Sequence, residues 1–343
     1  MLVNNFIYFH IGICILIILF EVAWTQYMKI HNLRLKRNTL KYKKEILEHI
    51  NYIRLTGKIS KEYCKRLRFR LRNVNKLMAF EKAYGEISEQ ENIEIYRKKI
   101  TYSFVKLAVY YNARKSEKEK AYFAYVIGKY FKNLENEYML SVFIGILYRF
   151  LECESIYCKI NAMDAIYSIG RTEHIIRAIS IINKNQDTYN QIVVSNGLKK
   201  VENDKERLAQ ELFNRFDEYN KMLQISIIKF LADFPVIDEE LLLEKLKNPN
   251  TAIDVKCEIM RYFQKNKNEK AKQYLMEKLD NEKIIANDLL VKAIGTLGYY
   301  SEQEVYNLLN KLKESTDDLI KESVHRSLEK QQKLKIGEVV EVV

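Results

Sequence analysis

Six apolar positions, Ile166, Leu198, Ile228, Ile259, Ile294 and Val324, recur at intervals of 32, 30, 31, 35 and 30 residues. Each falls in a short amphipathic stretch, and polar breaks such as KNPNT at 247–251 and NKNEK at 266–270 separate the stretches. A period of this size marks an array of small units, none of which can bury its apolar face alone. The 343 residues include only 2 prolines and 10 glycines, too few for the strand-to-helix turns of an ordinary α/β enzyme, so the stretches are expected to be helices. With 48% hydrophobic and 30% charged residues, a disordered or collagenous chain is excluded.

Small residues follow the same register: AIYSIG at 165–170, IIKFLA at 227–232 and AIGTLG at 293–298. The segments LLLEKLKNPNTAIDVKCEIMRYFQK, YLMEKLDNEKIIANDLLVKAIGTLGYY and YNLLNKLKESTDDLIKESVHRSLEKQ resemble HEAT repeats over about half of the chain. The resemblance implies an all-α solenoid of armadillo/HEAT type, in which Pro249 and Asn250 make a turn and Ala293, Gly295 and Gly298 allow close packing of the second helix. It assigns 155–332 to the repeats and leaves 333–343 as a flexible tail, although KIGEVVEVV has strand character after Gly337. It also implies a surface that binds something. Similar folds include DNA alkylation-repair glycosylases and chromophore lyases. For that enzymatic alternative, a basic stripe on the concave helices should converge with an acidic residue and aromatics.

Ahead of the repeats, Phe6 to Trp24 is a 19-residue apolar run with only His10 and Glu21 ionisable. As a helix it reaches roughly 28 Å, enough to cross a bilayer. Tyr8, Trp24 and Tyr27 sit where interfacial aromatics belong. Residues 29–80 hold 16 Lys and Arg against 3 Glu, while residues 81–343 balance at 41 of each sign. The whole formal excess of +12 therefore follows the apolar run, which puts the C-terminal side in the cytoplasm as a single-pass protein with its N-terminus outside. A cleaved signal peptide needs basic residues before the run and small residues at its end, and neither is present. At about 100° per residue, His10, Cys14, Glu21 and Thr25 share one stripe of the span. Such a stripe fits contact with another membrane helix; the alternative is that His10 and Glu21 snorkel to water.

Residues 1–28 are thus read as an anchor and 29–80 as a basic juxtamembrane segment. Tyr63, Leu67, Leu71, Val74 and Met78 are spaced as one face of a helix, flanked by Arg66, Arg68, Arg70 and Arg72. These arginines, with Arg34, Lys36 and Arg37, are candidates to meet anionic lipid or an acidic partner. With no second basic patch expected beyond residue 80, nucleic acid is disfavoured. Residues 81–154 form an aromatic-rich region, with 13 aromatics between 102 and 150 that are expected to pack inward, or else to line a groove. Met139 to Leu147 is too short for a second span. The odd cysteine count, at 14, 64, 153, 158 and 257, favours reduced thiols, with Cys153 and Cys158 as packing residues. Asp233, Asp238, Glu239 and Glu240, around Pro235, suit a helix start. No nucleotide-loop, zinc-protease or nucleophile-elbow motif occurs, so no catalytic residue, metal or cofactor is expected. The sequence therefore points to a membrane-anchored cytosolic scaffold that holds a protein partner, in its sharpest form an integral membrane enzyme such as an envelope synthase. The alternatives are a HEAT-like enzyme and a sensor that binds a ligand or nucleotide.

Overall fold

The structure is a computed structural model and describes residues 2–88, 92–132, 134–185, 191–234, 238–280, 287–315 and 317–340. Among the described residues all regular structure is helical, and the chain divides into two compact units between Ala165 and Ile166.

In the first unit, α1 (Leu2–Thr56) is one helix of 55 residues. Its apolar beginning is exposed: Leu16, Phe20 and Trp24 leave 67%, 68% and 54% of their surface open. Further along, Tyr42, Ile46, Ile50 and Ile53 recur at helical spacing and are buried. The expected boundary at residue 28 thus falls inside α1. Gly57, with φ 67°, ends the helix in the left-handed conformation that glycine adopts without a steric penalty.

The helix expected from Tyr63 to Met78 is broken in two, α2 (Lys61–Arg70) and α3 (Val74–Gly85). Asn73 causes the break, because its side chain accepts the Lys76 N–H at 3.2 Å and so caps a new helix. The buried set therefore shifts from Val74 and Met78 to Leu77, Phe80 and Tyr84. Next come α4 (Ile93–Asn112), α5 (Glu117–Tyr130) and α6 (Glu137–Leu151), then α7 (Ile156–Ile169), in which the two units divide. Odd helices stack on odd ones, α1 on α3 and α3 on α5, while α2, α4 and α6 stack in a second row. Aromatic rings fill the space between the rows: Phe104 lies 5.8 Å from Phe80, 6.4 Å from Phe123 and 4.6 Å from Phe131. Phe104, Tyr111, Phe123, Phe143 and Phe150 are all fully enclosed, as inward packing requires. Tyr102, Tyr125 and Tyr138 remain exposed.

The second unit repeats this arrangement with shorter helices. Its even row contains α8 (Thr172–Lys184), α10 (Lys205–Asn214), α12 (Glu239–Lys247), α14 (Glu269–Asp280) and α16 (Gln303–Leu312). Its odd row is α9 (Gln191–Lys199), α11 (Lys221–Leu231), α13 (Ile253–Lys265), α15 (Asn287–Leu297) and α17 (Asp318–Val340), and from α9 to α17 each odd helix packs on the next. All six anchors read from the sequence lie on odd helices, from α7 to α17, and each is 0% exposed. The KNPNT and NKNEK breaks separate α12 from α13 and α13 from α14. The tail differs from its strand-like reading, since α17 stays helical to Val340; residues 341–343 lie outside the described residues, as does Pro235.

The small residues divide by role. Ala293 is buried at 1%, and a Cβ on Gly298 would lie 2.8 Å from the Ser327 Cβ and 3.0 Å from its Cα, so α15 and α17 meet closely there. Gly295 faces open space, with nothing within 4 Å of a Cβ, and does not serve close packing as expected. Gly298→Ala should therefore destabilise by about 1–3 kcal/mol through forced overpacking. Gly295→Ala should stabilise by about 0.5–1 kcal/mol through helix propensity. Urea unfolding midpoints that moved in the same direction for both would contradict this division.

Candidate functional site

The sequence-derived residues fall on three surfaces. His10, Cys14, Glu21 and Thr25 lie on one uninterrupted helix, all exposed, so their shared azimuth is a property of the fold. Arg34, Lys36 and Arg37 follow on the same helix.

Arg66, Arg68, Arg70 and Arg72 cluster at α2 and, with Glu62, Lys65 and Phe69, line an open recess of about 490 Å³. They are not equivalent. Arg70 reaches back to α1, where its two terminal nitrogens donate to the Glu45 carboxylate at 3.0 and 2.9 Å and its Nε to the Tyr42 hydroxyl at 3.3 Å. The guanidinium also covers the Tyr42 ring at 4.4 Å. Arg70 therefore fastens α2 to α1 and has little charge left for a ligand. Arg72 lies over the Tyr110 ring at 5.0 Å, and Phe69 is 71% exposed. His49 lies against Tyr63 with the ring centres 3.5 Å apart and the planes tilted by 31°, and burial lowers its pKa. Further into this unit, buried Glu81 accepts from Lys129 at 2.7 Å and from Tyr130 at 2.8 Å, which satisfies a carboxylate that burial would otherwise penalise. Cys153 and Cys158 are both buried, and burial pushes both thiols up, which suits packing rather than nucleophilic chemistry.

The third surface was hidden from charge counting. Along the odd helices of the second unit, two adjoining recesses of about 550 and 680 Å³ share Arg261. Lys199, Lys229 and Lys265 line the first, and Lys292, Arg326 and Lys330 the second. Among these side chains stand Asp233, Glu258, Asp288 and Glu322, so the lining carries a net charge of about +3. A second basic patch beyond residue 80 therefore exists, contrary to expectation. Neutrality of the segment says nothing about which face its cations occupy. Tyr262 and Tyr299 also line the groove, with Lys330 Nζ 3.3 Å from the Tyr299 ring centre.

The groove's carboxylates are largely engaged. Glu258, 7% exposed, accepts from Arg261 at 2.7 Å. Asp233, expected at a helix start, instead receives Lys199 at 2.6 Å and also Lys265. Asp238 makes the cap, accepting the Glu240 N–H at 2.9 Å. Among the described residues no group of three or more His, Cys, Asp or Glu side chains is placed to hold a metal ion.

No protein family and no curated protein matches this sequence. Among solved structures it is similar to a designed armadillo repeat protein, with 13% identity over 66% of this chain and 98% of that one and a TM-score of 0.28.

Two predictions test these assignments. Arg70→Met should lower stability by about 1–3 kcal/mol, because it strands a partly buried carboxylate. Arg66→Gln should stay within about 0.5 kcal/mol; equal losses would deny Arg70 its fastening role. For Asp233, burial alone would raise the carboxyl, but the Lys199 and Lys265 hydrogen bonds outweigh it and hold the group below its ordinary value of 3.8. A depressed carboxylate stabilises the fold above the unfolded pKa, and that contribution is lost as pH falls through the folded value. Asp233→Asn should therefore lower the unfolding midpoint at neutral pH, and its difference from the parent should close below about pH 4. A difference constant down to about pH 2 would show that the charge is not responsible.

Proposed function

We propose that this chain is a membrane-tethered helical-repeat scaffold that positions a protein partner at the cytosolic face of a membrane. The observation that carries the proposal is α1: a single helix begins in uncovered apolar surface and ends in the core of the first unit. So large an apolar patch on the part of α1 that no other described residue covers needs a lipid or protein cover. The charge asymmetry around it supports an N-terminus outside and a body inside, and the exposed His10, Cys14, Glu21 and Thr25 stripe supports contact with a second membrane helix.

On this reading the basic candidates separate by height. From Trp24 to Tyr42, the α1 level at which Arg70 docks, the helix rises about 27 Å. The headgroup layer takes up only about 6 Å of that distance. A tilt of about 20° shortens it by only about 6%, and charges screen over about 8 Å. Arg34, Lys36 and Arg37, roughly 15–20 Å from Trp24 along the axis, bring their charges to within about one screening length of the headgroups once their long side chains extend toward them. Arg66, Arg68 and Arg72 stand too high and serve an acidic protein surface instead.

Deleting residues 1–28 should release the protein from alkaline-washed membranes with its helical circular dichroism per residue unchanged; collapse of the fold would overturn the tether. The truncated protein should still float with phosphatidylserine vesicles. With the anchor in place in phosphatidylserine bilayers, cross-linkers introduced at Arg34, Lys36 and Arg37 should label lipid headgroups, whereas cross-linkers introduced at Arg66, Arg68 and Arg72 should not. In cross-linked native membranes, His10→Leu with Glu21→Leu should remove one co-purifying integral membrane protein. Unchanged recovery would remove the stripe from the interface.

The alternative of a ligand sensor has its own support in the cationic odd-helix groove. The enzymatic alternative gains less, because Asp233 and Glu258 are already ion-paired and poorly placed to act as a free base.

A further inference from the structure

The groove of the second unit contains a recess of about 680 Å³ between α13, α15 and α17, within the size range of small-ligand sites. Lys292 lines it from the middle helix, α15, with Arg261 on the neighbouring α13 and Lys330 on the neighbouring α17. Its ammonium has neither an ion pair nor a hydrogen bond among the described residues. That is unusual for a half-buried charge, because desolvation and like neighbours both oppose it. Here both act: burial pushes the Lys292 ammonium down, and Arg261 and Lys330 add to the push, against partial support from Glu258.

The surroundings leave this charge unanswered. Glu258 is held by Arg261 and Glu322 by Arg326. The hydroxyls of Ser323 and Ser327 donate to the carbonyls of Val291 and Ile294, both at 3.1 Å. Gly295, one turn along from Lys292, keeps the floor open where any side chain would enter. With Glu258 and Glu322 held by Arg261 and Arg326, Lys292 and Lys330 stand against Asp288 alone, so the recess keeps a net positive charge of about +1. A phosphoryl group, with its oxygens arranged around one centre, suits the several donors of Arg261, Lys292 and Lys330 better than a planar carboxylate does.

We infer that this recess is a binding site for a phosphorylated small molecule, whose phosphoryl group pairs with Lys292 between Arg261 and Lys330. The site is independent of the membrane tether and of the partner surface proposed above. Ligand occupancy would relieve the repulsion among the three cations, coupling the packing of α13, α15 and α17 to ligand.

The test uses the full-length protein in detergent micelles, titrated calorimetrically at constant ionic strength and mildly acidic pH with pyrophosphate, and with succinate as a dicarboxylate, where both carry close to two negative charges. Pyrophosphate should bind one-to-one and raise the melting temperature, with succinate at least about tenfold weaker. Lys292→Met should weaken pyrophosphate at least about tenfold without lowering the melting temperature of the ligand-free protein, since it removes an unpaired charge. Gly295→Met, at an open helical position that tolerates a side chain, should project into the recess one turn from Lys292 and obstruct binding with the fold intact. No pyrophosphate binding up to about 10 mM, equal binding of succinate, or undiminished binding by both variants would overturn the site. A lower melting temperature for ligand-free Lys292→Met would do so too, since it would give the lysine a structural partner.

Discussion

The stacking of odd helix on odd helix is the constraint on which the rest of the structure depends. A helix of ten or so residues is marginal in water, and one hairpin leaves an apolar stripe open. The stripe is closed by the next hairpin in the row. In the second unit each odd helix contributes one fully enclosed anchor from Leu198 to Val324, and polar groups cross the same interfaces. Tyr300 donates to the Phe263 carbonyl at 3.2 Å and Gln331 to the Tyr300 carbonyl at 2.5 Å. Ion pairs about one repeat apart, such as Lys221–Asp254 and Lys311–Asp280, add little individually at an exposed surface. They mark the register that burial sets.

How much was legible in the sequence follows from what each signal measures. The repeat was legible because burial is periodic, and all six anchors fell on odd helices. The break at Leu71–Asn73 was missed because apolar spacing continues across it, whereas the deciding event is one asparagine side chain taking a backbone N–H. The strand-like tail became helix because β-branched residues can follow a helix that is already nucleated. The cationic groove was missed because a neutral total conceals its distribution. A usable signal lay beside the anchors: Lys199 follows Leu198, Lys229 follows Ile228, Arg261 stands two after Ile259 and Arg326 two after Val324. Cations one or two residues after a buried position fall within about 100° of one another on their helices, and so on one side of the row. Arg70 shows the converse. Composition placed it with its neighbours in a binding cluster, and only three-dimensional contact reveals that Glu45 and Tyr42 hold it.

The two units use charge differently. In the first, three cations within the helix stack are attached to the fold: Arg70 to Glu45, Lys129 to Glu81, Arg72 over Tyr110. In the second, several cations are gathered on one face with fewer counterions than they need. Attached charge specifies how helices meet, while gathered charge is available to a ligand, and one chain with both has separate means for building and for binding.

The length of α1 has a directional consequence. From His10 to Ile46, and from Cys14 to Ile50, is 36 residues each, which at about 100° per residue is a whole number of turns. The polar stripe of the exposed segment therefore has the same azimuth as the stripe that buries Ile46 and Ile50 in the first unit. No joint lies between them to let one swivel against the other. A second helix seated on that stripe would stand directly beneath the body of the unit, like a post under an eave. The body would overhang whatever the stripe holds, and rotating either end of α1 would turn the other with it.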